Sequence, residues 1–197
     1  MKKFVLCFIA GAILLTSAFA APETVEITTD SEKIFGIVPG VRLSVLGVEP
    51  AVAVDIMNLE IEASCALSTG LDGKQFGAAP AFSVAYNTNP FDKGGFAVFG
   101  GEYMYLTPSY TNMIVKTIDE DNQEDVLPGV HALSIFYKGG YNFNHVFGLL
   151  WRFRLPLMIT AAKDGESVNL NVSNLPGVAG CFLLGICTTA IGVKLTF

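Results

Sequence analysis

The sequence predicts an all-β chain: a closed antiparallel up-and-down transmembrane β-barrel of eight strands, with ten as the alternative. Three observations carry this. Apolar residues recur with a period of two along most of the chain. Past the N-terminal segment there is no clean run of 18 apolar residues. The nearest, Val178 to Val193, is broken by Thr188, Thr189 and glycines, which argues against helices that span a bilayer. And although hydrophobic residues make up 51% of the chain, charged ones are only 15%, against the ~25% usual for a soluble domain.

Taken in order, the N-terminus reads as an export signal. Lys2 and Lys3 precede an apolar stretch from Phe4 to Leu15, and Ala18-Phe19-Ala20 has the small-x-small form of a signal-peptidase site. The expected organisation is a signal peptide over 1–20, cleaved after Ala20, and one barrel domain over 21–197. The apolar stretch is too short for a membrane anchor, and Cys7 lies too early for a lipoprotein.

The first strand is expected over Val25–Val38 and the second over Val41–Ile56. Val52, Val54 and Ile56 share a face, and the apolar parity flips at Leu59, so Met57-Asn58 reads as a tight turn. In Leu59–Ser68 one face carries Leu59, Ile61, Ala63, Cys65 and Leu67, the other Glu60, Glu62, Ser64 and Ala66. Gln75–Thr88 sets Phe82, Val84 and Tyr86 against Ser83 and Ala85. Gly95–Lys116 sets Phe99, Tyr103 and Tyr105 against Gly100, Glu102 and Met104. Val130–Asn142 sets Leu133, Ile135, Tyr137 and Tyr141 against Ser134, Phe136 and Lys138. Phe147–Ala162 has Leu149, Trp151, Phe153 and Leu155 on one side and Arg152 and Arg154 on the other. Phe182–Phe197 closes the set on the alternating stretch AIGVKLTF. Breaks at Gly47-Val48-Glu49-Pro50 and Thr107-Pro108, with Glu166–Ser173 as a further strand, give ten. The acidic stretch IDEDNQED (118–125) reads as a solvated loop, since its spacing matches no EF-hand.

Alternation alone does not distinguish a soluble barrel from a membrane barrel, in which apolar residues face outward. The content of the faces does. The polar faces here are mostly Gly, Ala and Ser with scattered charges, which suits a narrow lumen, and the apolar faces are rich in Phe and Tyr, as in an aromatic-girdled lipid wall. A sheet in a bilayer must also close, so that every backbone polar group is paired.

Signal peptide, amphipathic strands and a final strand ending on Phe197 together resemble the small outer-membrane β-barrels of diderm bacteria, of the OmpW/OmpX/opacity-protein type. GYNFNHVFG (Gly140 to Gly148) is similar to a periplasmic hairpin of such barrels. The resemblance implies an outer-membrane location, lipid as the surrounding partner, and Phe197 as an assembly signal read by the barrel-assembly machinery.

The charged residues expected in the lumen are Asp55, Glu60, Glu62, Glu102, Lys138, Arg152 and Arg154, as acid–base pairs that fill it or as a polar constriction for a small solute. Without Lys2 and Lys3, 10 basic residues face 18 acidic ones, a net charge of about −8 that argues against nucleic-acid binding. Cys65, Cys181 and Cys187 form no disulfide framework; on one extended strand the last two would lie about 20 Å apart. Catalysis lacks a constellation. His131 and Ser134, spaced by three, fall on opposite strand faces, nothing pairs Asp55 with His131, and His131 and His145 suggest no metal site. No cofactor motif is present, so the expectation is no enzyme. Two classes remain: an integral outer-membrane barrel with a structural or surface role or a narrow conduit for small or apolar molecules, and a soluble periplasmic lipocalin-like barrel binding an apolar ligand.

Overall fold

A computed structural model describes residues 34–44, 47–69, 76–118, 128–163, 166–171 and 175–197. The expected signal peptide, most of the expected first strand and the acidic stretch past Ile118 lie outside the described residues.

The elements are β1 (Phe35–Ser44), β2 (Gly47–Ile56), β3 (Leu59–Ser68), β4 (Gly77–Asn87), β5 (Gly94–Leu106), α1 (Pro108–Ile118), β6 (Val130–Asn142), β7 (Phe147–Lys163), β8 (Glu166–Asn171), α2 (Leu175–Thr188) and β9 (Ala190–Leu195). Each strand from β1 to β7 pairs antiparallel with the next, β7 pairs with β9, and β9 with β1. The result is a closed eight-stranded up-and-down barrel. β8 lies outside the ring, paired with the far part of β7 at 158–163.

Strands β3 and β6 occupy the spans the alternation predicts; β4 and β7 differ by one or two residues at their ends. Met57 adopts φ 53° in the β2–β3 turn, which shifts the parity so that Val54 and Ile61 pair on the same outward face. The sixth and seventh strands are joined by the turn at 143–146. There Asn144 Oδ1 accepts from the amides of Val146 (2.9 Å) and Phe147 (2.6 Å). Opposite Leu133 and Ser134 the register slips by one residue on β7, a bulge beside Pro156, which has no amide to give to a ladder.

Three expectations are corrected. The expected strand Val41–Ile56 is divided: its first residues, to Ser44, belong to β1, which runs unbroken from Phe35 through the expected boundary at Val38–Val41, and the rest is β2 of the β1–β2 hairpin. On one continuous strand Arg42 and Glu49, seven residues apart, would point to opposite faces; the hairpin sets them opposite each other, both inward, 2.9 Å apart. Gly47 at φ 151° approaches the Leu67 carbonyl so closely that a Cβ there would sit 2.1 Å from its oxygen.

The expected strand Gly95–Lys116 ends at Leu106. Thr107 and Pro108 then start a helix instead of dividing two strands. Pro108 stands at the first helical position, and the Tyr110 amide donates to Thr107 Oγ1 at 3.4 Å.

The expected strand Phe182–Phe197 is helical as far as Thr188. α2 turns small residues at helical spacing, Gly177, Cys181 and Gly185, inward. A Cβ on Gly185 would lie 2.5 Å from the Arg154 carbonyl oxygen of β7, so the helix backbone rests directly on the strand. Cys181 and Cys187 are therefore on a helix, and both are free thiols. β8 lies within the additional strand Glu166–Ser173, but does not enlarge the ring to ten.

Both ends of the barrel are covered. At the end bearing Phe35 and Phe197, the turn 88–93 folds across the opening from the β4–β5 hairpin to β1. The Phe91 ring lies 2.7 Å from where a Gly36 Cβ would stand, and Asn142 Nδ2 on β6 donates to the carbonyls of Asn89 (3.4 Å) and Asp92 (3.0 Å). At the other end α1 seats on Gly77, and its Tyr110 and Met113 are buried among Ala66, Ala79, Ala81, Met104, Leu106 and Ala132. Leu184 of α2 packs against the same cluster.

Candidate functional site

The strands sort their side chains by parity. Outward positions read Phe35, Ile37, Pro39, Val41 and Leu43 on β1; Val48, Pro50, Val52, Val54 and Ile56 on β2; Leu59, Ile61, Ala63, Cys65 and Leu67 on β3. On β4 to β6 they include Phe82, Val84, Tyr86, Phe99, Tyr103, Leu133, Ile135 and Tyr141; on β7 and β9, Leu149, Trp151 and Ile191. Among the described residues no Asp, Glu, Lys or Arg stands at an outward position of the eight ring strands. His131 is the one ionisable side chain there besides tyrosines and Cys65. Large apolar groups on this wall are open: Phe82 is 51% exposed and Ile191 64%.

The inward side is the reverse. Arg42, Glu49, Asp55, Glu60, Glu62, Glu102, Lys138, Arg152, Arg154 and Lys194 all point into the lumen with 4% exposure or less. Five are acids and five are bases, so the lumen is neutral with every group ionised.

Six of them form a closed ring of alternating charge. Glu62 on β3 accepts from Arg152 on β7, which donates to Glu102 on β5. Glu102 accepts from Arg154 Nε at 2.6 Å. Arg154 also donates to Glu49 on β2, and Glu49 accepts from Arg42 on β1 at 2.9 Å. Arg42 returns to Glu62 at 2.7 Å. Lys138 on β6 branches from this ring, bridging Glu62 (3.1 Å) and Glu60. Ser64 Oγ donates to Glu49 at 2.7 Å, and Arg154 Nη1 to the Thr188 carbonyl at the end of α2, 2.8 Å away. The Arg152 guanidinium also lies over the Phe136 ring, 4.0 Å from its centroid. The network thus ties six strands and a helix together across the lumen. Burying this many charges is tolerable only because each acid meets two or more donors or shares one with a neighbour.

The seven residues proposed from the sequence are all inward. Six join the network. Asp55 does not: it is fully buried and neither carboxylate oxygen is reached by a well-formed hydrogen bond. Sequence reasoning missed Arg42, Glu49 and Lys194. Arg42 and Glu49 were hidden by treating a hairpin as one strand. Lys194 shares the parity of Gly192 and Thr196 in AIGVKLTF, opposite Val193 and Leu195, and that alternation was the available signal. Its ammonium lies over the Phe96 ring, 3.9 Å from the centroid.

The histidines are apart from this. His131 is on the outer wall, its Nδ1 2.6 Å from the Tyr103 hydroxyl and its ring beside Tyr105. Ser134 is buried on the opposite face. His145 sits in the 143–146 turn with Nδ1 3.3 Å from the Phe91 carbonyl oxygen. Among the described residues no group of three His, Cys, Asp or Glu side chains is arranged to hold a metal ion, and no helix is long and apolar enough to cross a membrane, which says nothing about strands. Phe197 continues β9 beyond Leu195: its amide donates to the Ile37 carbonyl (3.0 Å) and its carbonyl accepts from the Ile37 amide (3.2 Å).

Comparison of the chain with protein-family models, curated proteins and solved structures finds no match.

Proposed function

We propose that this chain is an integral outer-membrane β-barrel whose lumen is a solid, ion-paired core, serving membrane structure or surface contact and not bulk passage. One observation carries the reading: the ring strands place every described acidic and basic side chain of known orientation inside and none outside. Water would favour the opposite partition, hydrocarbon this one.

Three further features support it. Strands of about ten residues rise ~33 Å along their length, or about 25 Å at the tilt typical of such barrels, the height of a lipid-facing band. Every connection at the Phe197 end is short, while the longest connections, with α1 and α2, are at the other end, beside the two-residue β1–β2 turn; membrane barrels place short turns on the periplasmic side and their long loops outside. And α2 presents Val178, Phe182, Leu183 and Ile186 outward with no polar face among them, which suits contact with acyl chains.

In this reading residues 1–20 are the export signal, and β9, whose pairing with β1 closes the ring, carries the assembly signal on Phe197. Catalysis is not part of it: the His131 imidazole stands on the wall, while Asp55 and Ser134 face the lumen. A lipocalin-like alternative would need an apolar cavity inside; here the middle of the lumen holds the charge network and its ends hold Tyr110, Met113 and Phe91.

Fractionation tests the assignment. The protein is expected in the detergent-extracted outer membrane and absent from the osmotic-shock fluid; recovery as a water-soluble monomer refutes it. A planar-bilayer recording tests the closed lumen separately, with no discrete conductance steps expected. Steps abolished by Arg154→Ala would instead establish a conduit through the charged layer.

A further inference from the structure

Eight of the ten lumen charges satisfy one another, four acids against four bases. The two left over, Asp55 on β2 and Lys194 on β9, lie toward the end that bears Phe197. They have opposite charge, both are buried, and no ion pair joins them. Neither Asp55 oxygen is reached by a well-formed hydrogen bond, the Asn87 amide beside it being shared with Glu60, while the Lys194 ammonium rests on the Phe96 ring. The groups around Asp55 are Gly36 on β1, which brings no charge, Glu60 on β3, Asn87 on β4, Lys138 on β6 and Lys194 on β9. Lys138 is engaged by Glu60 and Glu62, and Asn87 Nδ2 donates to Glu60 at 3.4 Å. Among the described residues, Lys194 is therefore the one cation nearby not committed to another acid.

A buried carboxylate without a partner is costly when ionised. It can be relieved by a cation or by a proton, and a proton needs no cavity. Space here is short: the points where side chains on Gly36, Gly40 and Gly148 would begin are already crowded by Phe91, β9 and the Lys194 stem.

We propose that Asp55 and Lys194 form a proton-dependent switch. With a proton on Asp55, the carboxyl group is neutral and Lys194 stays on Phe96. Without it, the carboxylate draws the Lys194 ammonium off the ring and into an ion pair. The movement would reach the cap. Lys194 Cε and Asn142 Oδ1 crowd the same point over Gly148, at 3.2 and 2.7 Å, and Asn142 is the residue that holds the 88–93 turn across the barrel end. The switch couples the protonation of one lumen acid to the clamp on that turn.

The test uses the full folded barrel in detergent, titrated with pH, with two readouts: the infrared carbonyl stretch of a protonated carboxyl group and the Phe96 ring resonances. The wild type is expected to lose the stretch and shift the ring signals over the same pH interval. Asp55→Asn, nearly isosteric, should lack the Asp55 component of that stretch, the other carboxyl groups titrating as in the wild type, and should show no ring shift. Lys194→Met, which keeps the stem, should retain the titrating stretch and lose the ring shift. A wild type whose carbonyl stretch matches that of Asp55→Asn at every pH at which both are folded overturns the proposal, since its Asp55 is then held charged. So does a Phe96 shift that survives Asp55→Asn, or a titrating stretch while Phe96 stays still. Should either variant fail to fold, the coincidence of the two wild-type signals decides.

Discussion

Neighbouring residues of one strand meet opposite worlds in this molecule. On β7, Trp151 is 44% exposed on a wall with no charged neighbour, while Arg152, the next residue, is fully buried between Glu62 and Glu102. The outer side is chemically uniform and tolerates much exchange of one apolar group for another. The inner side is specific: eight of its ten charged groups are placed against named partners of opposite charge, from strands up to 105 residues away. A barrel this narrow has no room for an apolar core of the usual depth, so side chains of opposite charge fill it instead. The wall supplies compatibility with its surroundings, and the lumen supplies the long-range contacts that fix the cross-section.

Breaking the lumen should cost most. Arg154→Met leaves Glu49 and Glu102 each short of a partner and the Thr188 carbonyl without its donor, and is expected to lower stability by about 3–5 kcal/mol, as for other broken buried pairs. Urea unfolding of barrels folded into vesicles measures it. A loss below 1 kcal/mol would mean that the lumen is hydrated and the ring incidental. Inverting the wall should cost slightly less: Ile135→Arg puts a charge on the outward face and is expected to cost ~2–4 kcal/mol in the same vesicles. The same substitution with no effect on stability or on insertion would place that face in water and erase the contrast between the two sides. The smallest effect belongs to the cap. Asn142→Ala removes the amide that holds the Asn89 and Asp92 carbonyls, for a loss of about 1 kcal/mol, and should speed amide hydrogen exchange in 88–93 more than in the central strands.

How much was legible depended on whether a signal was local. β3 and β6 were readable because alternation ran uninterrupted between clear turn residues. Reading β1 and β2 as one strand passes over a flip of apolar parity, from Val41 and Leu43 to Val48, Val52 and Val54, because the break after Ser44 carries only one glycine and the consecutive apolar residues Val45 and Leu46 blur the flip. α2 was read as strand because Val178 to Cys187 is apolar in every direction, and a segment without a polar face has no period to read. Its helical state comes from close packing of Gly185 on the Arg154–Pro156 stretch of β7, a contact with residues some thirty positions away.

By itself, then, the order of residues determined that this chain makes strands with one apolar and one mixed side, roughly where most of them run, and which seven charges would share an interior. Side-chain alternation is a property of neighbours, so neighbours suffice to reveal it. Only the tertiary structure decided that the ring closes at eight, that a helix rests on β7 before the last strand, and that Arg42 and Glu49 complete a cycle of charge while Asp55 is left outside it. Those outcomes depend on register across strands and on the space remaining once the cylinder has closed, and no local stretch of sequence contains either quantity.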